Sequence, residues 1–193
     1  MFNQHIELLG DIKLQTISER TRRDLLLYLC HISEDVRPPT DTLESYLDLE
    51  RFTTRFQRMF YLLDKKIFET HCLTSGYKFM HHLRGPTDRD LLNDIVSLYH
   101  HDLVGTEYGK NYIEAIDLEG ELRTSLGKDL FNELVDSVKR YNEMKIADLI
   151  KESVEVWHEE HPEIKRGIEE MAEKWGFTRE KFEKLMRQYH ENS

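Results

Sequence analysis

Apolar residues in this chain recur at helical spacing, and that periodicity limits the available folds more than any other feature. Leu25, Leu26 and Leu29 are one example, because residues three and four positions apart lie on the same side of a helix. No stretch alternates apolar and polar residues over several positions, as a half-buried strand would. Four prolines and nine glycines interrupt the periodic stretches. The sequence therefore predicts an all-α protein.

Breaks between the periodic stretches define the predicted helices. The expected spans are 18–32, about 43–64, His71 to just before Arg84, Asp88 to the His100-His101 doublet, 128–159 with a break near Tyr141, and two short helices after Pro162 and Thr178. A loop is expected before the second helix, since two consecutive prolines stop a helix. Thr40 or Asp41 is expected to cap the second helix, and Thr87 or Asp88 the fourth. Residues 105–127 hold four glycines and are expected to be less regular.

Length and composition indicate one domain. A chain of 193 residues is long enough for one buried core and short for two ordinary domains. Hydrophobic residues make up 39% and charged residues 33%, the balance of a soluble globular protein. We expect a single domain over 1–193, in which a central helical bundle at about 44–157 carries additional helices at 1–40 and 160–193.

Charge and composition also argue against several kinds of partner and location. The net charge of −10 disfavours nucleic-acid binding, which needs a basic surface. No apolar run approaches the length of a membrane helix, and the N-terminus lacks the basic-then-apolar pattern of a secretory signal. Cys30 and Cys72 are the only cysteines, so no disulfide framework is expected. These observations favour a cytoplasmic protein without membrane or nucleic-acid partners.

Two histidines and two aspartates form the strongest candidate for a functional site. His71 is followed thirty residues later by the pair His101-Asp102, and Asp148 comes further on. Each lies on or at the end of a predicted helix, so the four donors can converge on one divalent cation. Asp148 has apolar neighbours and is expected to be buried, where a carboxylate needs a partner or a metal. The alternative is an exposed helical aspartate beside two lysines.

Such a site would bind a divalent metal ion. Imidazole and carboxylate donors together do not select among Mn, Co, Mg, Zn, Ni and Fe. A bound ion lowers the pKa of water and polarises a phosphoryl oxygen, which is the chemistry of phosphoester hydrolysis. The acidic composition is compatible with a small phosphorylated substrate, because a bound cation offsets local negative charge.

The order and spacing of these residues resemble the HD-domain phosphohydrolase superfamily, nearest the branch of bacterial 5′-deoxynucleotidases. The pattern of that superfamily is a histidine, a later histidine–aspartate pair and a final aspartate, each on a separate helix. Arg55-Phe56 lies sixteen and fifteen residues before His71, like an arginine–aromatic pair of the branch. The stretches LYHHDLV and MKIADLIKESVEVW are similar to the helices that carry the pair and the final aspartate. The resemblance covers about Glu44 to Trp157.

This resemblance implies an HD-type helical bundle that hydrolyses a phosphate ester of a small nucleotide, most simply a (deoxy)nucleotide. The implied metal ligands are His71, His101, Asp102 and Asp148. Asp102 is implied in catalysis as well. Arg55 would contact the phosphate or sugar, since guanidinium offers a planar fork to phosphate oxygens, and Phe56 would stack on or wall off the sugar and base. The branch tends to form homodimers, for which the apolar face of 18–32 is available unless it packs on its own domain.

The chain departs from the branch at two acidic positions. A glutamate usually follows the aspartate of the pair by three residues; Gly105 stands there instead, with Glu107 two positions later. A glycine–aspartate pair commonly comes next, and this chain has Gly109-Lys110. Glu107 is the candidate for general acid–base catalysis if the turn brings its carboxylate inward. The departures keep two alternatives open: a non-hydrolytic HD-fold regulator that binds metal or nucleotide, and a helical protein-interaction module.

Overall fold

Eight α-helices make up most of the described part of the chain, so the all-α prediction is confirmed. The computed structural model describes residues 14–33, 43–80, 85–104, 106–174 and 176. The helices are α1 (Glu19–Ile32), α2 (Leu43–Leu63), α3 (Arg89–His100), α4 (Glu107–Ala115), α5 (Leu118–Leu126), α6 (Lys128–Glu143), α7 (Ile146–Glu160) and α8 (Pro162–Lys174). Two short strands, β1 (Gln15–Thr16) and β2 (Leu73–Thr74), pair in parallel. No helix in the described ranges combines the length and the apolar character needed to cross a bilayer.

Several helix ends agree with the predicted spans, and α1 and α3 each begin at a side-chain cap, of which only the cap of α3, predicted as Thr87 or Asp88, was expected from the sequence. α1 begins after Ser18, whose hydroxyl accepts a hydrogen bond from a backbone N–H of the first turn. α3 begins after Asp88, whose carboxylate does the same. The predicted break near Tyr141 is the connection between α6 and α7, and the helix expected after Pro162 is α8. The predicted cap of α2 and the helix after Thr178 lie outside the described residues.

The prediction of a helix that starts at His71 is wrong for residues 71–80, the part of that span that the structure describes. α2 passes into a π-helical turn (Asp64–Phe68) and a 3₁₀ turn (Glu69–His71), and then β2 and an extended segment follow. Cys72 has a φ of 57° and Gly76 a φ of 83°, conformations that end a helix. Apolar periodicity does not reveal this, because β2 draws its backbone hydrogen bonds from β1, far earlier in the chain.

The glycine-containing segment 105–127 is more regular than predicted, since it contains α4 and α5. Two of its glycines lie inside helices at positions where an added Cβ would meet a neighbouring group. A Cβ on Gly109 would overlap the backbone carbonyl of Leu103, and a Cβ on Gly120 would overlap the carboxylate of Asp117. That carboxylate caps α5. Glycine therefore marks close packing in this segment rather than irregular chain.

The hydrophobic core joins α1 and α2 to the later helices. Six consecutive residues of α1, Leu25 to Cys30, are buried, and the run Met59 to Leu63 of α2 is buried with them. α6 and α7 add Phe131, Leu134 and Trp157 to the same cluster. The apolar face of α1 therefore packs within its own domain, which was one of the two alternatives for it. The homodimer itself stays a prediction.

A buried carboxylate holds the corner between α2 and β2. Asp64 is 4% exposed and accepts hydrogen bonds from the backbone N–H of Ser75 at 2.5 Å and from the hydroxyl of Thr74 at 3.2 Å. Burial raises the pKa of Asp64, while these hydrogen bonds oppose the rise. Close by, the side chain of Gln57 exchanges two hydrogen bonds, of 2.7 and 2.8 Å, with the backbone of Asp88. These contacts attach the segment between α2 and α3 to α2.

Replacing Asp64 with asparagine is expected to make stability less dependent on pH. Because the folded-state pKa is raised, the carboxyl contributes stability below its ordinary value of 3.8 and loses that contribution as the pH rises through the folded-state value. The native chain should therefore be less stable, relative to Asp64→Asn, at about pH 7 than at about pH 4. Urea unfolding of both proteins over this range measures the difference. A difference that does not change with pH would contradict the expectation.

Candidate functional site

The four predicted metal ligands lie at three separate places in the fold, and all four residues are exposed. His71 ends the 3₁₀ turn after α2, His101 and Asp102 follow α3, and Asp148 lies in the first turn of α7. The Nε2 atom of His71 is 2.9 Å from a carboxylate oxygen of Glu133 on α6. This hydrogen bond joins the corner after α2 to α6, so His71 already has a protein partner.

The His101-Asp102 pair forms the C-terminal cap of α3. Asp102 has a φ of 55°, in the left-handed region. Its backbone N–H donates to the carbonyl of Tyr99 at 3.0 Å, and the N–H of Leu103 donates to the carbonyl of Leu98 at 3.1 Å. These two bonds define a Schellman motif, and the side chains of both leucines pack against the core. Aspartate is among the few residues other than glycine that visit this conformation, so helix termination is a sufficient reason for Asp102.

Replacing Asp102 with glycine is expected to leave stability unchanged or to raise it by up to about 1 kcal/mol, because glycine adopts positive φ without steric cost. Asp148→Gly is the matched control, since it makes the same chemical change inside the first turn of α7. The control should lose about 1 kcal/mol, because glycine is a poor helix former. Chemical denaturation measures the free energy of unfolding of both variants and of the native chain. An Asp102→Gly variant that loses as much stability as the control would contradict the capping role.

The expectation that the carboxylate of Asp148 is buried is wrong. The residue is exposed, and the buried side of α7 is formed by Leu149, Ile150, Ser153 and Trp157. Its apolar sequence neighbours belong to the adjacent core-facing side of the helix. An acid in the first turn is favourable, because the unpaired N–H groups there carry partial positive charge. Asp148 is therefore the exposed helical aspartate that the sequence left as the alternative.

Within the described residues, no group of three or more His, Cys, Asp or Glu side chains is arranged to hold a metal ion. The four predicted ligands all belong to this part of the chain. The structure does not bring three of these four donors together around one point. The metal ion and its identity stay predictions of the sequence.

The predicted substrate-binding residues Arg55 and Phe56 both make contacts within the protein. One guanidinium nitrogen of Arg55, Nη1, donates to the carbonyls of Tyr141 at 3.0 Å, Asn142 at 3.3 Å and Met144 at 3.1 Å. Carbonyls at the end of a helix lack helical partners, so a cation there is stabilising. Phe56 is 0% exposed and its ring centroid lies 4.6 Å from that of Phe52. Both side chains hold α2 in the fold, and their role towards a substrate stays a prediction.

Glu107, the predicted acid–base residue, is the first residue of α4 and is exposed. Its carboxylate makes no ion pair with the described residues, and Lys110 is likewise exposed. Gly105, which stands where the branch has its glutamate, lies outside the described residues. The inward placement that an acid–base role for Glu107 requires is therefore not seen.

The outer face of α4 carries the feature of this region that the sequence reading missed. Tyr108 is 62% exposed and Tyr112 is 41% exposed, and residues four apart lie on the same side of a helix. Within the described part of the chain, the side chain of neither tyrosine makes a hydrogen bond or a ring contact. Gly109 and Ile113 form the buried side. The spacing of these four residues is the sequence signal for this helix, although the glycines of the segment predict an irregular chain.

Comparison with protein-family models, with curated proteins and with solved structures found no match to this chain.

Proposed function

We propose that this chain is a helical protein-interaction module and that the outer face of α4 is its docking surface. The observation that supports this proposal is the pair of exposed aromatic side chains, Tyr108 and Tyr112, on one side of a packed helix. Tyrosine is enriched at protein interfaces because it adds a large contact area with few rotatable bonds and keeps a polar end.

Rigidity of α4 adds to this argument. Thr106 caps the helix by accepting a hydrogen bond from the N–H of Gly109 at 3.0 Å, and its own hydroxyl donates to the carbonyl of Asp102. The inner side packs on the core through Ile113, and Gly109 allows close contact with the Leu103 backbone. A helix fixed in this way loses little backbone conformational entropy when a partner binds.

A photoreactive amino acid at position 111 tests the proposal, because Asn111 is exposed and lies between the two tyrosines in sequence. The experiment is done in the cells that produce the protein. A discrete adduct of higher mass is expected, and it should be lost when Tyr108 and Tyr112 are both replaced by alanine. The matched control carries the same group at Lys151, an exposed position of α7, and should give no such adduct. Equal adducts at both positions, or none at 111, would refute the docking surface.

Metal-dependent phosphohydrolysis is the second candidate, carried by the order of His71, His101-Asp102 and Asp148 and by the exposure of all four residues. Metal-stripped protein is incubated with Mn, Co or Mg and a panel of nucleoside mono- and triphosphates, and released phosphate is measured. Metal-dependent turnover that is lost in Asp102→Ala would establish the enzyme. Silence across the panel would count against it, while cross-linking at position 111 reports on the interaction module separately.

A further inference from the structure

Charge on and around α4 is strongly one-sided. Between positions 102 and 121, seven charged side chains are exposed and six of them are acidic. The acids are Asp102, Glu107, Glu114, Asp117, Glu119 and Glu121, and the one base is Lys110. The chain as a whole has a net charge of −10. A partner that covers this region therefore meets a surface of negative charge.

Among the described residues, the glutamates of α5 have hydrogen-bond or ion-pair partners, whereas those of α4 form no ion pair. Glu119 accepts hydrogen bonds from Arg123 at 2.8 Å and from Tyr28 at 2.9 Å, which lower its pKa, and Glu121 is 2.9 Å from Arg20. In the described part of the chain, Glu107 and Glu114 form no ion pair. Their charge is therefore available to a second molecule, and they lie on the same short helix as the two tyrosines.

We infer that the outer face of α4 binds an arginine-rich, basic segment of a partner protein. This inference rests on the proposed function and names the partner chemistry for the same surface. A guanidinium group stacks on the face of a tyrosine ring and also donates in a planar fork to a carboxylate, whereas an ammonium group does neither as well. The combination of Tyr108 and Tyr112 with Glu107 and Glu114 therefore favours arginine over lysine at equal charge.

The probes for the test are three fluorescent synthetic peptides of equal length, in which arginine, lysine or glutamate alternates with serine. Anisotropy titrations use the full chain. The arginine peptide should bind about three- to tenfold more tightly than the lysine peptide, and the glutamate peptide should not bind. Tyr108→Ala with Tyr112→Ala should weaken binding of the arginine peptide at least about tenfold.

Two further variants separate a specific surface from general attraction between opposite charges. Glu107→Gln with Glu114→Gln should weaken binding about threefold and flatten its dependence on salt. Met171→Ala on α8 is the matched control, because it also truncates a large exposed side chain, and its affinity should stay within about twofold of the native value.

Several outcomes would overturn the inference. One is an arginine peptide that does not bind, or that binds the double tyrosine variant as well as the native chain. Another is equal binding of the arginine and lysine peptides. A dimer in light scattering that the tyrosine substitutions split would assign the face to a second copy of this chain instead. If the peptide results contradict the inference while the cross-linked adduct at position 111 persists, the arginine-rich partner is refuted and the docking surface on α4 is retained. If the adduct is absent as well, both the arginine-rich partner and the docking surface are refuted.

Discussion

Phe56→Ala is expected to lower the free energy of unfolding by about 3–5 kcal/mol, the usual cost of deleting a fully buried phenyl ring. Phe56 is 0% exposed, and its ring packs against Phe52 in the centre of α2. Removing it leaves a cavity that its neighbours close only in part, because interiors are packed to the density of organic crystals. Denaturant unfolding monitored by circular dichroism measures the loss.

Tyr108→Ala is the matched control for this prediction. It removes a ring of similar size from a position that is 62% exposed, so stability should change by no more than about 0.5 kcal/mol. The two variants also separate the roles considered for Phe56. If its ring chiefly walls off a substrate, Phe56→Ala will be nearly as stable as the native chain and will lose ligand affinity instead.

Gly109→Ala is expected to lower the free energy of unfolding by about 1–3 kcal/mol, as overpacking of a tight contact usually does. Alanine is the better helix former by about 1 kcal/mol, so helix propensity alone predicts the opposite sign. The steric term should prevail because the added Cβ meets the backbone carbonyl of Leu103, which cannot rotate away as a side chain would. The contact moves only if α4 shifts from the loop that follows α3.

Gly167→Ala on α8 provides the control, because a Cβ at that position meets none of the described residues within 4 Å. It should raise stability by up to about 1 kcal/mol through helix propensity alone. Thermal and urea unfolding of the two variants should therefore change in opposite directions. Two changes of the same sign and size would mean that the contact between Gly109 and Leu103 is not a tight one.

Asp102 illustrates why a candidate site is harder to predict than a helix. A histidine–aspartate pair at the end of an apolar helix is a feature of a metal site, and it is equally a feature of a helix that ends with aspartate in the left-handed conformation. Sequence alone does not separate these readings, since the same residue type serves both. The hydrogen bonds of Tyr99 and Leu98 with the residues that follow them identify the cap. Metal binding by Asp102 stays a prediction.

Arg55 and Phe56 illustrate the same limit for side chains on a correctly predicted helix. The span of α2 was predicted to within one residue at its C-terminal end, but its neighbours in space were not. The guanidinium of Arg55 bonds to carbonyls up to 89 residues away along the chain. Nothing local to α2 specifies that contact.

The sequence by itself determined the all-α class, most helix boundaries, the cap of α3 as either Thr87 or Asp88, and the break between α6 and α7. These features depend on interactions within a few residues, namely apolar spacing, capping side chains, and the backbone preferences of glycine and proline. Only the tertiary structure decided that the chain after His71 pairs with β1, that Asp64 is buried while Asp148 is exposed, and that two tyrosines of α4 face outward. Each of those outcomes depends on which distant segments pack together, and the free energy of that packing is not encoded in any one stretch of the chain.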